Sequence, residues 1–159
     1  MQTDLFAEPV VRSTDTRPVL LGMNNPVSTA AHHALYPSPK GCTGWRLWQM
    51  SGLSEEDYLS RFDRQNLISG RAWDLREARK IAPGLRESLL GRTVVVLGSP
   101  VNSIIRGGTP HELAPVFSWT PDGAGGWIAK VPHPSGLNPF YNDALNRELL
   151  RIFMQELAV

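Results

Sequence analysis

The chain has 159 residues, 42% of them hydrophobic and 19% charged, with a formal net charge of +1. That length suits one domain with a sizeable core, and the near-neutral balance gives no global basic field, so any nucleic-acid binding would rest on a local patch. The single cysteine, Cys42, excludes an internal disulfide and any four-cysteine zinc or iron–sulfur site, and no apolar run approaches the ~18 residues of a membrane span.

Residues 1–17 are polar and aperiodic and read as an N-terminal arm, extended or partly disordered. They lack a basic segment followed by an apolar one, the mark of a secretory signal, so a cytoplasmic setting is expected. Residues 18–159 form the domain. Pro18 to Leu21 is a short apolar strand. Residues 22–44 form a long loop rich in Pro and Gly, and loops that long are usually functional or mobile. Trp45 to Met50 reads as a short buried helix. Ser54 followed by Glu55, Glu56 and Asp57 is an N-cap with acidic residues in the first turn, opening a helix through Phe62. Asn66 to Ile68 is a brief strand.

Asp74 to Leu90 is helical by pattern: Leu75, Ala78, Ala82, Leu85 and Leu89 fall near a 3.6-residue period. Pro83 is expected to kink or divide it. Thr93 to Leu97 is the clearest strand, uncharged throughout as a central parallel strand should be. Gly98 opens a turn before a helix at Val101 to Ile105. Val116 to Trp119 and Trp127 to Val131 flank a Gly-rich turn and predict a hairpin. The last helix, capped by Asn138 or Asn142, runs to about Leu157 with Leu145, Leu149, Ile152, Phe153 and Glu156 on one face.

Strands alternating with helices predict an α/β fold with a mostly parallel sheet covered on both sides. Two polar loops then follow two apolar strands: Gly22-Met23-Asn24-Asn25-Pro26 after the first, and His133-Pro134-Ser135-Gly136-Leu137-Asn138 after the last. In such sheets, ligand sites form at the carboxyl ends of strands.

This pair of loops resembles the uracil-DNA glycosylase superfamily. That superfamily carries a Gly-x-(Asp/Asn)-Pro loop after its first core strand and a His-Pro-Ser loop after its last. The Asn and the Gly136-Leu137 pair resemble the mismatch-specific and single-strand-selective branches most, and the likeness covers roughly residues 18 to 157. It implies a three-layer α/β/α sandwich around a four-stranded sheet. It also implies hydrolysis of the N-glycosidic bond of uracil or a related modified base in DNA, by base flipping, in base-excision repair. No metal or organic cofactor is implied. The partner is single- or double-stranded DNA, and the protein is expected to act as a monomer.

By this resemblance Asn24 and His133 are catalytic. Bond breaking has oxocarbenium character, and the attacking water needs orientation more than a strong base, which an Asn carbonyl can supply. His133 would face the departing base and donate to its carbonyl oxygen. Gly22 and Met23 belong to the first loop. Tyr36 would stack on the base, with Trp45 as competitor. Asn66 would read its edge with one donor and one acceptor. Ser135 and nearby amides would hold a phosphate. Gly136 and Leu137 form the approach loop, with Leu137 either a wedge filling the stack or a packed residue. Lys40, Arg46, Arg64 and Arg71 are candidates for a local positive surface. His32, His33 and His111 have no spacing that suggests a metal. The chain departs from the Asn branches in one respect: they read Gly-x-Asn-Pro-Gly, and here Pro sits one place late and the second Gly is missing. A superfamily member that binds a modified base, nucleotide, DNA or partner protein without cleaving is therefore the alternative.

Overall fold

A computed structural model describes residues 14–159. In chain order these form β1 (Val19–Gly22), α1 (Thr43–Ser51), α2 (Glu55–Arg61), β2 (Asp63–Asn66), α3 (Leu75–Leu89), β3 (Thr93–Leu97), α4 (Ser99–Arg106), β4 (Thr120–Pro121), β5 (Trp127–Val131) and α5 (Ala144–Leu157). The sheet order is β2-β1-β3-β5-β4. The first four of these strands are mutually parallel, and β4 pairs antiparallel with β5 at the edge. The α/β class is as expected, with five strands rather than four. The N-terminal arm lies mostly outside the described residues. Where described, its Arg17 forks Asp15 and donates to the Phe62 carbonyl, while Arg92 bridges Asp63 and Asp15.

Strand alternation divides the core into two layers. Leu20, Val95, Leu97, Ala129 and Val131 point to one side and pack with Leu47 of α1, Tyr58 of α2 and Leu150, Phe153 and Met154 of α5. Val19, Leu21, Val94 and Val96 point to the other and pack with Ala78 and Leu89 of α3 and Val101 and Ile105 of α4. A strand buried on both faces can carry only uncharged residues, hence the legible Thr93–Leu97 run. No described helix is long and apolar enough to cross a membrane.

Capping follows the sequence closely. The Ser54 hydroxyl accepts from Asp57 N, and the Asp74 carboxylate accepts from Arg76 N and Glu77 N. Four expectations need correction. Pro83 does not divide α3, which continues to Leu89. Proline frees the carbonyl four residues earlier, and here both Pro83 and Arg79 face solvent, where water can take that bond. The strand placed at 66–68 is centred earlier, over Asp63–Asn66, although Leu67 N and Ile68 N still donate to the Gly22 and Met23 carbonyls. The hairpin's first arm is only Thr120–Pro121, because Phe117 takes φ +59 and breaks the extended run. On α5 the buried face is Leu150, Phe153 and Met154, capped by Asp143, while Leu145 is 66% exposed. Two apolar stripes share Phe153, and the one that carries Leu150 and Met154 is the one packed into the core.

The 22–44 loop is tied to this scaffold from beneath. The buried Tyr58 hydroxyl donates to the Leu35 carbonyl at 2.7 Å, and Leu35 itself holds φ +50. Arg64 of β2 donates to the Ala34 and His32 carbonyls. Tyr58→Phe leaves the Leu35 carbonyl without its buried donor. It is expected to lower unfolding free energy by about 1–3 kcal/mol in urea denaturation, with an unchanged m-value; a loss below a few tenths would show that this bond does not secure the loop.

Candidate active site

Four of the loops that follow strands meet at the carboxyl end of the sheet, around the point where strand order reverses between β1 and β3. There a cavity of ≈ 210 Å³ is lined by Met23, Asn24, Tyr36, Asn66, His133, Ser135 and Gly136, among others. Seven of the nine residues singled out in the sequence therefore share one wall system. Gly22 lies just beneath it, and Leu137 stands at its rim loop.

Close approach at two glycines builds the floor. Gly22 ends β1 and pairs in register with Asn66 of β2. A Cβ on Gly22 would stand 2.7 Å from Asn66 Oδ1, so only glycine lets that amide lie across the strand end. Gly98, after β3, holds φ +92, and its Cβ would stand 3.1 Å from His133 Cβ and 3.3 Å from Cδ2. The imidazole thus packs on bare backbone of the neighbouring strand.

The polar side chains differ in how far the protein engages them. Asn24 Nδ2 donates to the Arg71 carbonyl at 2.9 Å. A carbonyl can only accept, so this bond fixes the amide's orientation and leaves Oδ1 free to accept from a ligand. Asn25 is fully engaged instead. Its Oδ1 accepts from Val27 N and Ser28 N, and its Nδ2 donates to the His33 carbonyl. It is an Asx turn within the loop. The Asn66 amide and the His133 ring nitrogens make no hydrogen bond to a described residue. None of these atoms is buried away from water, so a ligand entering the cavity would meet three polar side chains with open donors or acceptors.

Backbone hydrogen bonds hold His133 in place. Asn138 Nδ2 donates to its carbonyl at 2.9 Å, and the Tyr141 hydroxyl donates to the Pro132 carbonyl at 2.7 Å. Burial pushes the His133 imidazole below its ordinary value of 6.5, so the ring is neutral at pH 7. A turn closed by Asn138 N on the Ser135 carbonyl places Gly136 and Leu137 at its apex. Leu137 is 95% exposed, which rules out the packed reading of that residue. A Cβ on Gly136 would meet the Arg46 guanidinium at 2.6 Å, so the cation lies against the turn.

Tyr36 forms a side wall, with the His33 ring 5.5 Å away and the Arg64 guanidinium 5.8 Å from its centroid. Arg64 is half-buried and bound to loop carbonyls, so it is not part of an open positive surface. Trp45 lies outside the cavity. His33, Cys42 and Thr43 line the cavity and were not singled out in the sequence. His33 Nδ1 is 2.7 Å from Ser28 Oγ, while Cys42 caps α1 by accepting from Trp45 N. Nothing in their spacing signals this, since the long loop alone brings them there. No carboxylate lines the cavity among the described residues. No family model matches this chain, and no curated protein does either.

The neutral state of His133 is directly measurable. Its folded pKa is depressed, so acidification below 6.5 protonates the unfolded chain first, and the residue costs stability as pH falls through that window. A ¹⁵N-edited NMR titration is expected to show the His133 ring titrating below 6.5 in the folded protein. A value above 6.5 would mean that a negative partner reaches the ring.

Proposed function

We propose that this chain is a monofunctional DNA glycosylase that accommodates a flipped uracil-like base in the cavity at the carboxyl end of its sheet. The observation that carries this reading is the convergence of Asn24, Asn66 and His133, three polar side chains with unengaged atoms, on one cavity walled by Tyr36. At ≈ 210 Å³ the cavity is several-fold the ~30 Å³ share of a water molecule, the scale of a single heterocycle.

Each role follows from chemistry. The Asn66 amide offers one donor and one acceptor, which complements the imide edge of uracil. Tyr36 presents a ring against which a base can stack. As the glycosidic bond lengthens, charge builds on the base's carbonyl oxygen, and a neutral imidazole N–H from His133 stabilises it without a net proton transfer. The sugar becomes oxocarbenium-like, and a water held by Asn24 Oδ1 adds to it; the proton that water loses neutralises the anionic base that has left, so a free base and a sugar hydroxyl result. Leu137, projecting from its turn, fills the gap left in the stack. Arg46 beside the turn, with Lys40 and Arg71 nearby in sequence to the cavity loops, gives the local cationic surface that a net charge of +1 does not provide globally.

The second reading is a protein that recognises a base or nucleotide without cleaving it. The absence of a carboxylate from the described lining favours it, because nothing there can take a proton from water except an imidazole. Orientation alone can still accelerate addition to an oxocarbenium ion, so the first reading predicts slow rather than absent chemistry.

Incubation with uracil-containing single strands, G·U duplexes and modified-base DNA, followed by alkali, separates the two. Strand breaks at the base position support the enzyme; binding without breaks supports the second reading. Given activity, Asn24→Ala and His133→Ala are each expected to lower excision ~10²–10³-fold with unchanged melting temperature. Retention of full activity in both would overturn the roles assigned.

Leu137→Ala discriminates further. An exposed side chain contributes little to folding, so melting temperature should not move. Extruding a paired base costs a few kcal/mol and an unpaired one little. Excision from duplexes should therefore fall while that from single strands persists. Equal losses on both substrates would exclude the wedge.

A further inference from the structure

A second cavity, ≈ 400 Å³, lies at the opposite end of the sheet and shares no lining residue with the first. Its walls are apolar: Leu90 after α3, Ile105 of α4, and Val94 and Ile128, which pair in register at the start of β3 and β5. That volume falls within the ~300–1,000 Å³ of small-molecule sites, which are mostly apolar with a few placed polar groups.

The polar group here is unusual. Arg106, the last residue of α4, lines this cavity and is only 3% exposed. Its Nη2 donates to Thr120 Oγ1 at 2.7 Å, and that hydroxyl's own proton is directed to the Ile128 carbonyl at 3.2 Å. Nε and Nη1 are buried and have no partner among the described residues. No ion pair to Arg106 is formed among the described residues, where the paired cations are Arg17, Arg61, Arg92 and Arg151. A buried cation without a counter-ion is strongly unfavourable. The carbonyl end of α4 favours positive charge at this point but supplies no acceptor to those two nitrogens.

The surroundings narrow the ligand. Asp122 lines the cavity, but its carboxylate accepts from the Gly91, Ala124 and Gly126 amides and is held in its own turn. Arg86 lines it too, donating one N–H to the Ile104 carbonyl. Arg86 and Arg106 against Asp122 leave one positive charge among the Arg and Asp side chains of the lining. A monoanion balances that, and a dianion does not. Besides these charged residues, Thr109, His111 and Thr120 are the polar residues of the lining, and the rest of the wall suits an apolar body.

We infer that this cavity binds a small organic monoanion, a carboxylate on an apolar body, with Arg106 as its buried counter-ion. A guanidinium suits a carboxylate because both are planar and matched in spacing. This inference stands apart from the proposed base-release site, and its test does not depend on that activity.

The test is calorimetric titration of the full chain with octanoate, with 1-octanol as the neutral analogue and inorganic phosphate as the bare anion. Octanoate is expected to bind one to one, about tenfold or more tighter than either control, since a charge-assisted hydrogen bond separates them. Arg106→Met should erase the preference of octanoate over 1-octanol. Leu90→Trp fills the cavity while keeping the guanidinium, and should abolish octanoate binding; it decides the matter if Arg106→Met fails to fold. Equal binding of octanoate and 1-octanol would reduce the cavity to an apolar void. Phosphate binding as tightly as octanoate would make it a bare anion site. Either result overturns the inference, as would undetectable octanoate binding or unchanged binding to the Leu90→Trp protein.

Discussion

The candidate site depends on two places where a strand end has no side chain. β1 finishes in Gly22 and β3 runs into Gly98, and each seats a polar side chain from the strand beside it, Asn66 over Gly22 and His133 over Gly98. Parallel strands lie ≈ 4.8 Å apart, and here the neighbour's side chain leans across the strand end, within 2.7 Å of where a Cβ on Gly22 would stand and 3.1 Å of where one on Gly98 would. The missing Cβ makes room for it. It brings an amide and an imidazole from the outer strands inward, to the two sides of the point where strand order reverses. Gly98 is constrained twice, since φ +92 also excludes ordinary side chains. The site is therefore a property of sheet geometry, and its precision is that of the sheet.

The remaining walls come from the 22–44 loop, whose position the sheet does not dictate. Three buried or half-buried donors hold it instead: Tyr58 on Leu35, Arg64 on Ala34 and Asn25 on His33. All three bind backbone carbonyls, so they fix the path of the chain without consuming the side chains that face the cavity. The molecule thus separates two classes of polar group. Those beneath the loop spend their bonds on its carbonyls. Those at the cavity surface keep donors or acceptors open to whatever enters it.

Much of this was legible in the sequence where one physical rule dominated. The Thr93–Leu97 strand was visible because burial on both faces forbids charge. The loops after β1 and β5 were visible because glycine, proline and polar residues cluster only where regular hydrogen bonding stops. β2 was obscure because Asp63-Arg64-Gln65-Asn66 is polar, as a half-buried strand at the sheet edge can be. Its charges are engaged with Arg92 and with loop carbonyls, which local sequence does not reveal. The α5 face was misread because two apolar stripes compete and only tertiary packing selects one. His33 and Cys42 were invisible as lining residues because a loop's path follows from long-range tethers, and no periodicity records those.

Asn25 stands directly before Pro26 in the first loop, and its side chain closes on the loop itself through three hydrogen bonds. An unbound amide at that position would crowd the cavity and compete for any water there. A self-satisfied one acts as backbone would, bracing the turn. Asn24 is held differently, by a single bond that uses only its donor side. The two neighbouring asparagines have the same chemistry but opposite assignments, one spent on folding and one left with its acceptor facing the cavity. A loop that needed only a turn would require one Asx residue. The second, oriented but unsatisfied, is what the proposed reading explains and a purely structural loop does not.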